Sequence, residues 1–198
     1  MQGSFKHTFF AAAIAAGLLF CGFQAYAQRA AYTMDPAHSE VDFAIRHMGI
    51  STVHGRFAVK DGVIDFDPKN VADSSVMATI DVTTVDTGVA QRDTHLKSPD
   101  FFDVAKYPTA TFKSTRIVPA GDGYDVIGEL TLHGVTKPVT LQVDAPGGPV
   151  NGMGNKQHMG FSATATVNRL DFGIGAKYPN AALSDEVKLT IDVDAVKQ

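Results

Sequence analysis

The chain of 198 residues carries 17 basic and 21 acidic side chains, which gives a formal net charge of -4 at pH 7. This acidic balance argues against nucleic acid and anionic membrane surfaces as partners. The length suits one domain with a sizeable apolar core, and the single cysteine excludes an internal disulfide.

The first 27 residues have the pattern of a secretory signal peptide. Lys6 precedes an uncharged apolar stretch from Phe9 to Phe20, and the small-residue site AYA ends at Ala27. Cleavage is expected after Ala27, which leaves a periplasmic protein of residues 28–198 that contains no cysteine and forms a single domain. No second apolar run approaches the ~20 residues that a membrane helix needs, so stable membrane insertion is not expected.

Most segments after residue 38 alternate apolar and polar residues, which is typical of β-strands with one face on an apolar interior. The inward positions predicted in this way are Val41, Phe43, Ile45 and His47; Val53, Gly55, Phe57 and Val59; Ile64 and Phe66; Val76, Ala78, Ile80 and Val82; Ala110 and Phe112; Tyr124, Val126, Gly128, Leu130 and Leu132; Val139–Val143; Met159, Phe161, Ala163, Ala165 and Val167; and Val187–Val193. About eight strands joined by short turns predict an all-β antiparallel fold, either an up-and-down barrel or a sandwich.

One segment in the middle of the chain, DTGVAQRDTHLKSPDFFDVAKY, does not alternate. Asp86 or Thr87 offers a helix N-cap and Pro99 a stop, which predicts a helix of roughly ten residues. A helix of ~15 Å is about long enough to lie across one end of a barrel. We expect Arg92 and Asp93 to fix it to the rim by ion pairing and hydrogen bonds.

Several segments together resemble the YceI-like, polyisoprenoid-binding family. The similar segments are YTMDPAHSEVDF at 32–43, HMG at 47–49, RDTHL at 92–96, DFFD at 100–103, YP at 107–108, FKS at 112–114, LTLHGVTKPV at 130–139 and NRLDFG at 168–173. The resemblance runs in register through nearly all of residues 28–198. It implies an exported, lipocalin-like, eight-stranded antiparallel barrel with one short helix across an end. It also implies an interior that holds one polyisoprenoid lipid or isoprenoid quinone, no catalytic residue, a link to envelope stress and a homodimer.

Whether the interior is a container or a solid core decides the function. Each buried CH₂ is worth about 0.8 kcal/mol, so an isoprenoid chain can bind through many weak apolar contacts with a few polar groups at the mouth. The apolar side chains expected to line the interior are Phe43, Ile45, Phe57, Ile64, Val76, Ala78, Ile80, Leu96, Phe101, Phe112, Val126, Leu130, Leu141, Phe161, Ala163, Ala165, Leu189 and Ile191. The polar side chains expected at the rim are His38, His47, Arg92, Asp93, His95, Asn168 and Arg169.

Small alanines among larger inward residues are expected to leave room for the ligand. Ala78, Ala163 and Ala165 are the examples. In a solid core, Ala163→Phe would overpack and cost about 1–3 kcal/mol. In a container the same variant is expected to fold normally and to lose its lipid.

Two other functions remain as alternatives. A hydrolase or metal-binding enzyme would use the six histidines after residue 28, which are His38, His47, His54, His95, His133 and His158, together with aspartates. No pair of these histidines has a tight metal-ligand spacing, and no three-part catalytic arrangement is visible, so we expect neither a metal site nor a cofactor other than a bound lipid. The second alternative is a structural envelope protein with a solid core.

Overall fold

The computed structural model describes residues 29–198, so the predicted signal peptide lies outside the described residues. The strands are β1 (Ala30–Met34), β2 (Glu40–His47), β3 (Ser51–Phe66), β4 (Ser75–Asp86), β5 (Thr109–Ala120), β6 (Gly123–Leu132), β7 (Val135–Val143), β8 (Gly147–Asn151), β9 (Gln157–Asn168) and β10 (Leu183–Lys197). The helix α1 spans Ala90–Leu96, and short 3-10 helices span Val71–Asp73, Met153–Asn155 and Arg169–Phe172.

Eight of the strands form a closed antiparallel ring in the order β2, β3, β4, β5, β6, β7, β9 and β10, with β10 pairing again with β2. The closure between β7 and β9 is short, because only Gln142 with Thr164 and Val143 with Ala163 are paired there. The ring and the short helix confirm the predicted all-β antiparallel fold class. Two further strands lie beside the ring: β1 pairs with β10 and β3, and β8 pairs with β9.

The residues that alternate along each strand separate an apolar interior from the solvent. In β9, Met159, Ala163, Ala165 and Val167 are buried, whereas Thr164 and the other intervening residues near its end are exposed. Among the larger side chains of residues 29–198, Val82 and Phe172 are the most deeply buried, with 2% of their surface exposed. The interior of the ring is therefore the core of the protein, as the alternation predicted.

The strand β3 is continuous, although the alternation predicted two separate segments there. Val59 pairs with Ile80 and Asp61 pairs with Thr79, so β3 carries one extra residue between these two pairs. Such a β-bulge reverses the phase of alternation, and inward residues switch from odd positions such as Phe57 to even positions such as Ile64. The sequence pattern showed this change of phase as an interruption.

The helix α1 is shorter than predicted, and the expected N-cap is wrong. The helix starts after Val89, and neither Asp86 nor Thr87 caps it. The hydrogen bonds run the other way, because the amide and hydroxyl of Thr87 donate to Asp93 Oδ1 over 2.9 and 2.6 Å. Arg92 Nε and Nη2 donate to Thr87 Oγ1 and to its carbonyl oxygen over 2.7 and 2.8 Å. Side chains of the helix thus hold the loop between β4 and α1.

Replacing Asp93 with alanine is expected to lower the free energy of unfolding by about 1–3 kcal/mol. The reason is that the partly buried amide and hydroxyl of Thr87 would lose their acceptor. Denaturant melts of the wild type and the variant measure the change. Thr94→Ala is the control on the same helix, because Thr94 is exposed and bonds only to the carbonyl of Ala90. Equal stability of the two variants would contradict the role of Asp93.

Candidate functional site

Two cavities lie one after the other inside the ring. The larger, which we call the helix-end cavity, has a volume of about 360 Å³ and is bordered by α1, the loop after α1 and the segment from 169 to 183. The smaller, the mid-ring cavity, has a volume of about 120 Å³, and every side chain that lines it is apolar. Both cavities share Phe57, Phe102, Leu130, Leu132 and Leu189 as lining residues. The cavities are therefore neighbours with a common wall.

Most of the apolar residues expected to line the interior border one of these cavities. The helix-end cavity is lined by Phe43, Ile45, Phe57, Leu96, Phe101, Leu130 and Leu189 from that set. The mid-ring cavity is lined by Phe57, Val76, Ala78, Ile80, Phe112, Leu130, Leu141, Phe161, Leu189 and Ile191. Apart from Leu96 and Phe101, these side chains were predicted by strand alternation, because an inward position on any strand of the ring faces the same interior. Their contact with a ligand stays a prediction.

Four residues of the expected lining border neither cavity. Ile64, Val126, Ala163 and Ala165 are inward and buried, with exposures of 5% or less. Ile64 packs in a cluster with Tyr32, its partner on β1. An inward side chain on the ring therefore does not always border a cavity.

Of the three inward alanines that were expected to leave room for a ligand, only Ala78 lines a cavity, the mid-ring cavity. Ala163 lies opposite Val143 and Ile191 at the closure of the ring, and it packs in a cluster with Phe112 and Val126. A phenylalanine at position 163 would therefore overpack, with an expected cost of about 1–3 kcal/mol. The expectation that Ala163→Phe folds normally is corrected accordingly.

The polar residues expected at the rim lie in different places. His47, Arg92, His95 and Arg169 border the helix-end cavity. Asp93 bonds to Thr87 and lines neither cavity. The polar groups that reach the interior are thus all at the helix end.

The other two rim residues have local structural contacts. His38 Nδ1 lies 2.8 Å from Asp35 Oδ2 in the turn before β2, at the end of that strand remote from His47. This hydrogen bond raises the pKa of His38 and lowers the pKa of Asp35. Asn168 Oδ1 accepts a hydrogen bond from the amide of Leu170 over 2.9 Å and caps the 3-10 helix that follows.

Arg169 organises the loop that closes the helix end. Its side chain is only 3% exposed, and its guanidinium donates to five carbonyl oxygens and one carboxylate. The acceptors are the carbonyls of Ser184, Ile174, Gly175, Tyr178 and Leu183, at 2.6 to 3.0 Å, and Asp185 Oδ1 at 3.0 Å. The guanidinium of Arg169 therefore hydrogen-bonds to the protein itself rather than to a ligand in the cavity.

An aromatic group lies beside the helix-end cavity. The ring of Phe101 stacks on Tyr178 with centroids 5.1 Å apart, and His95 meets Phe101 edge to face at 5.0 Å. His95 Nε2 is 3.8 Å from Asp100 Oδ2, and Asp100 forms an ion pair with Lys177. The hydrogen bond from Lys177, more than the nearby His95, lowers the pKa of Asp100.

The expected lining left out several residues that line the helix-end cavity, among them Phe102, Leu132, Phe172 and Tyr178. Leu132 was already predicted as an inward position, because it continues the alternation of β6 after Leu130. Phe102, Phe172 and Tyr178 lie outside the strands, where no period indicates which way a side chain points.

The cavity linings formed by the described residues contain no acid–base pair, because Asp100, which lies 3.8 Å from His95, is not part of them. Among residues 29–198, the side chains that line the two cavities include no carboxylate. Within the same residues, no three His, Cys, Asp or Glu side chains are grouped as ligands for a metal ion.

Among residues 29–198, no helix has the length and apolar character that a membrane span requires.

The chain is similar to proteins of one described family. The YceI-like domain family matches residues 32–195. Protein YceI of Escherichia coli is 43% identical over 183 residues, which are 92% of this chain and 94% of that protein. Among solved structures, BcnA of Burkholderia cenocepacia has a TM-score of 0.71 at 28% identity and covers 81% of this chain and 98% of its own.

A second solved structure shares the fold at lower sequence identity. A polyisoprenoid binding domain from Saccharophagus degradans, implicated in plant cell wall breakdown, has a TM-score of 0.62 at 17% identity. The match covers 85% of this chain and 99% of that domain. The family match and the E. coli relative confirm the resemblance predicted from the sequence, and the chain belongs to the YceI-like domain family.

Proposed function

We propose that this protein binds one long-chain polyisoprenoid or isoprenoid quinone inside the ring. The observation that carries the proposal is the pair of adjacent apolar cavities within an otherwise packed interior. Cores of globular proteins have few voids larger than a water molecule, whereas ligand pockets occupy roughly 300–1,000 Å³. The helix-end cavity, at about 360 Å³, falls in the range of ligand pockets.

The distribution of polar groups supports a slender lipid with one polar end. His47, Arg92 and His95 border the helix-end cavity, and the mid-ring cavity has only apolar lining. A lipid that enters with its tail first would place isoprene units in the mid-ring cavity and its head group near α1. Each buried CH₂ contributes about 0.8 kcal/mol, so affinity would come mainly from the chain.

The two alternative functions have weaker support. A structural protein with a solid core does not need a void of about 360 Å³, which removes packing contacts from its lining. A hydrolase needs a general base beside a nucleophile. His95 has Asp100 3.8 Å away, but among the described residues no serine, threonine or cysteine lines the helix-end cavity beside His47 or His95. A binding role rather than catalysis therefore fits this interior best. The S. degradans domain, which is described as polyisoprenoid-binding, adds support from a similar fold.

The experiment is extraction of lipid from the protein as it is purified, without detergent, from its own host. Mass spectrometry of the organic extract is expected to detect one isoprenoid per chain. Leu130→Trp, in the wall shared by both cavities, should lower the lipid content, while Ile50→Ser, at a site that is 80% exposed, should retain it. Failure of the wild type to yield an isoprenoid, and of the delipidated protein to take one up, would refute the proposal.

We also propose that the protein acts in the periplasm, as a carrier or store of the lipid during envelope stress. The signal-peptide pattern before Gln28 supports export. N-terminal sequencing of the protein from the periplasmic fraction is expected to start at Gln28, and an intact Met1 would contradict export. A homodimer stays a prediction that analytical ultracentrifugation tests directly.

A further inference from the structure

Of the five residues that line both cavities, one does not lie on a strand of the eight-stranded ring. Phe57 lies on β3, Leu130 and Leu132 lie on β6, and Leu189 lies on β10. Phe102 lies on the irregular segment between α1 and β5. Four of the five side chains are therefore fixed by strand pairing, and only Phe102 is held by a loop.

Phe102 is held in the wall by contacts of its own segment. Its amide donates to the carbonyl oxygen of Leu96 over 3.0 Å, which ties it to the end of α1. Its ring meets the ring of Phe57 edge to face, with centroids 5.3 Å apart and planes at 90°. The side chain is half-buried, and no strand pair depends on it. Rotation or removal of the Phe102 phenyl ring would join the two cavities without breaking the sheet.

We propose that Phe102 sets the length of isoprenoid chain that this protein prefers. The inference rests on the proposed function. A short chain fits the helix-end cavity and leaves the Phe102 ring against Phe57. A longer chain reaches the mid-ring cavity only when the ring moves aside, so it loses the contact between the two rings. The cost of this displacement lowers the affinity for long chains relative to short ones.

The experiment measures dissociation constants for a series of all-trans isoprenoid alcohols, from geraniol through farnesol and geranylgeraniol to solanesol. Delipidated wild type and Phe102→Ala are compared. The variant is expected to raise the ratio of long-chain to short-chain affinity by roughly tenfold, which corresponds to about 1.4 kcal/mol. The matched control is Phe101→Ala, the neighbouring phenylalanine, which borders the helix-end cavity alone. It should change affinity for all chain lengths alike and leave the ratio unchanged.

A second variant tests the same inference from the other cavity. Ala78 lines only the mid-ring cavity, so Ala78→Leu should fill part of its roughly 120 Å³. Geraniol and farnesol should bind as in the wild type, and solanesol should bind roughly tenfold more weakly, a loss of about 1.4 kcal/mol. Melting curves of each variant establish that it is folded before binding is compared.

The outcomes separate the two proposals. If the wild type binds no member of the series, the proposed lipid-binding function fails, and the role of Phe102 fails with it. If the wild type binds the series but Phe102→Ala and Ala78→Leu keep its length profile, only the role of Phe102 is overturned. A shift of the profile in opposite directions in these two variants, with no shift in Phe101→Ala, supports it.

Discussion

Replacing Arg169 with alanine is expected to lower the free energy of unfolding by about 3–5 kcal/mol, the range found when one partner of a buried charged network is removed. The Arg169 side chain is 3% exposed, and its five N–H groups lie within hydrogen-bond distance of six acceptors, five of which are backbone carbonyls between residues 174 and 184. Without it, those carbonyls and Asp185 lose their donor, and the loop that borders the helix-end cavity loses its anchor. Denaturant unfolding monitored by circular dichroism measures the change.

Arg46→Ala is the matched control for this expectation. Arg46 is exposed and donates to Thr52 Oγ1 and to the carbonyl of Gly49 at the turn between β2 and β3. Its loss is expected to cost about 1 kcal/mol. Arg169→Lys keeps the charge but not the planar set of five donors, so it should still lose a large part of the stability. A cost for Arg169→Ala no larger than that for Arg46→Ala would contradict the anchoring role.

Phe112→Ala is expected to destabilise the ligand-free protein by about 3–5 kcal/mol, as is usual for a truncated core phenylalanine. Phe112 is 5% exposed, lies across from Ala78 and Leu130 on the neighbouring strands, and lines the mid-ring cavity. Its ring covers Gly128, where a β-carbon would stand only 2.4 Å from the ring. Truncation would therefore open a void beside Gly128, which has no side chain to fill it.

A bound lipid should return part of this lost stability. The void left by Phe112→Ala opens on the mid-ring cavity, so an isoprenoid chain there gains space and contacts. Unfolding of the variant with and without solanesol measures the recovery. Phe66→Ala is the control, because Phe66 is half-buried and borders neither cavity. It is expected to cost less, and solanesol should stabilise it no more than it stabilises the wild type.

The fold could be predicted from the sequence because strand alternation is a local signal that repeats along the whole ring. The exceptions have physical reasons. All five residues of β8 are exposed, so no apolar period marked Gly147–Asn151 as a strand, and no strand was predicted there. The helix start was wrong because Asp and Thr before a helix are common N-caps, whereas here Asp93 within the helix binds Thr87 in the loop.

The strand-borne part of the candidate site could be predicted from alternation, and Leu96 and Phe101 from the expected position of the helix at one end of the fold. Phe43, Leu130 and Leu189 were found because each is at an inward strand position and faces a cavity. Tyr178 and Phe172 reach the helix-end cavity from segments shaped by contacts distant in sequence, such as the stacking of Tyr178 on Phe101 and the hydrogen bond between His133 Nδ1 and the carbonyl oxygen of Phe172. Local sequence does not encode such a contact. Nor does alternation tell an inward side chain in a packed cluster, such as Val126, from one that faces free space.

The uneven pairing of β9 divides the wall of the ring into a firm side and a weak side. β9 shares eleven residue pairs with β10 but only two with β7, and beyond those two pairs a groove of about 350 Å³ lies between β7 and β9. Segments with few mutual hydrogen bonds open at low free energy. Amide hydrogens shared by β9 and β10 should therefore exchange slowest, and those between β7 and β9 among the fastest of the ring. Local opening would thus begin at this seam and leave the other seven junctions of the ring closed.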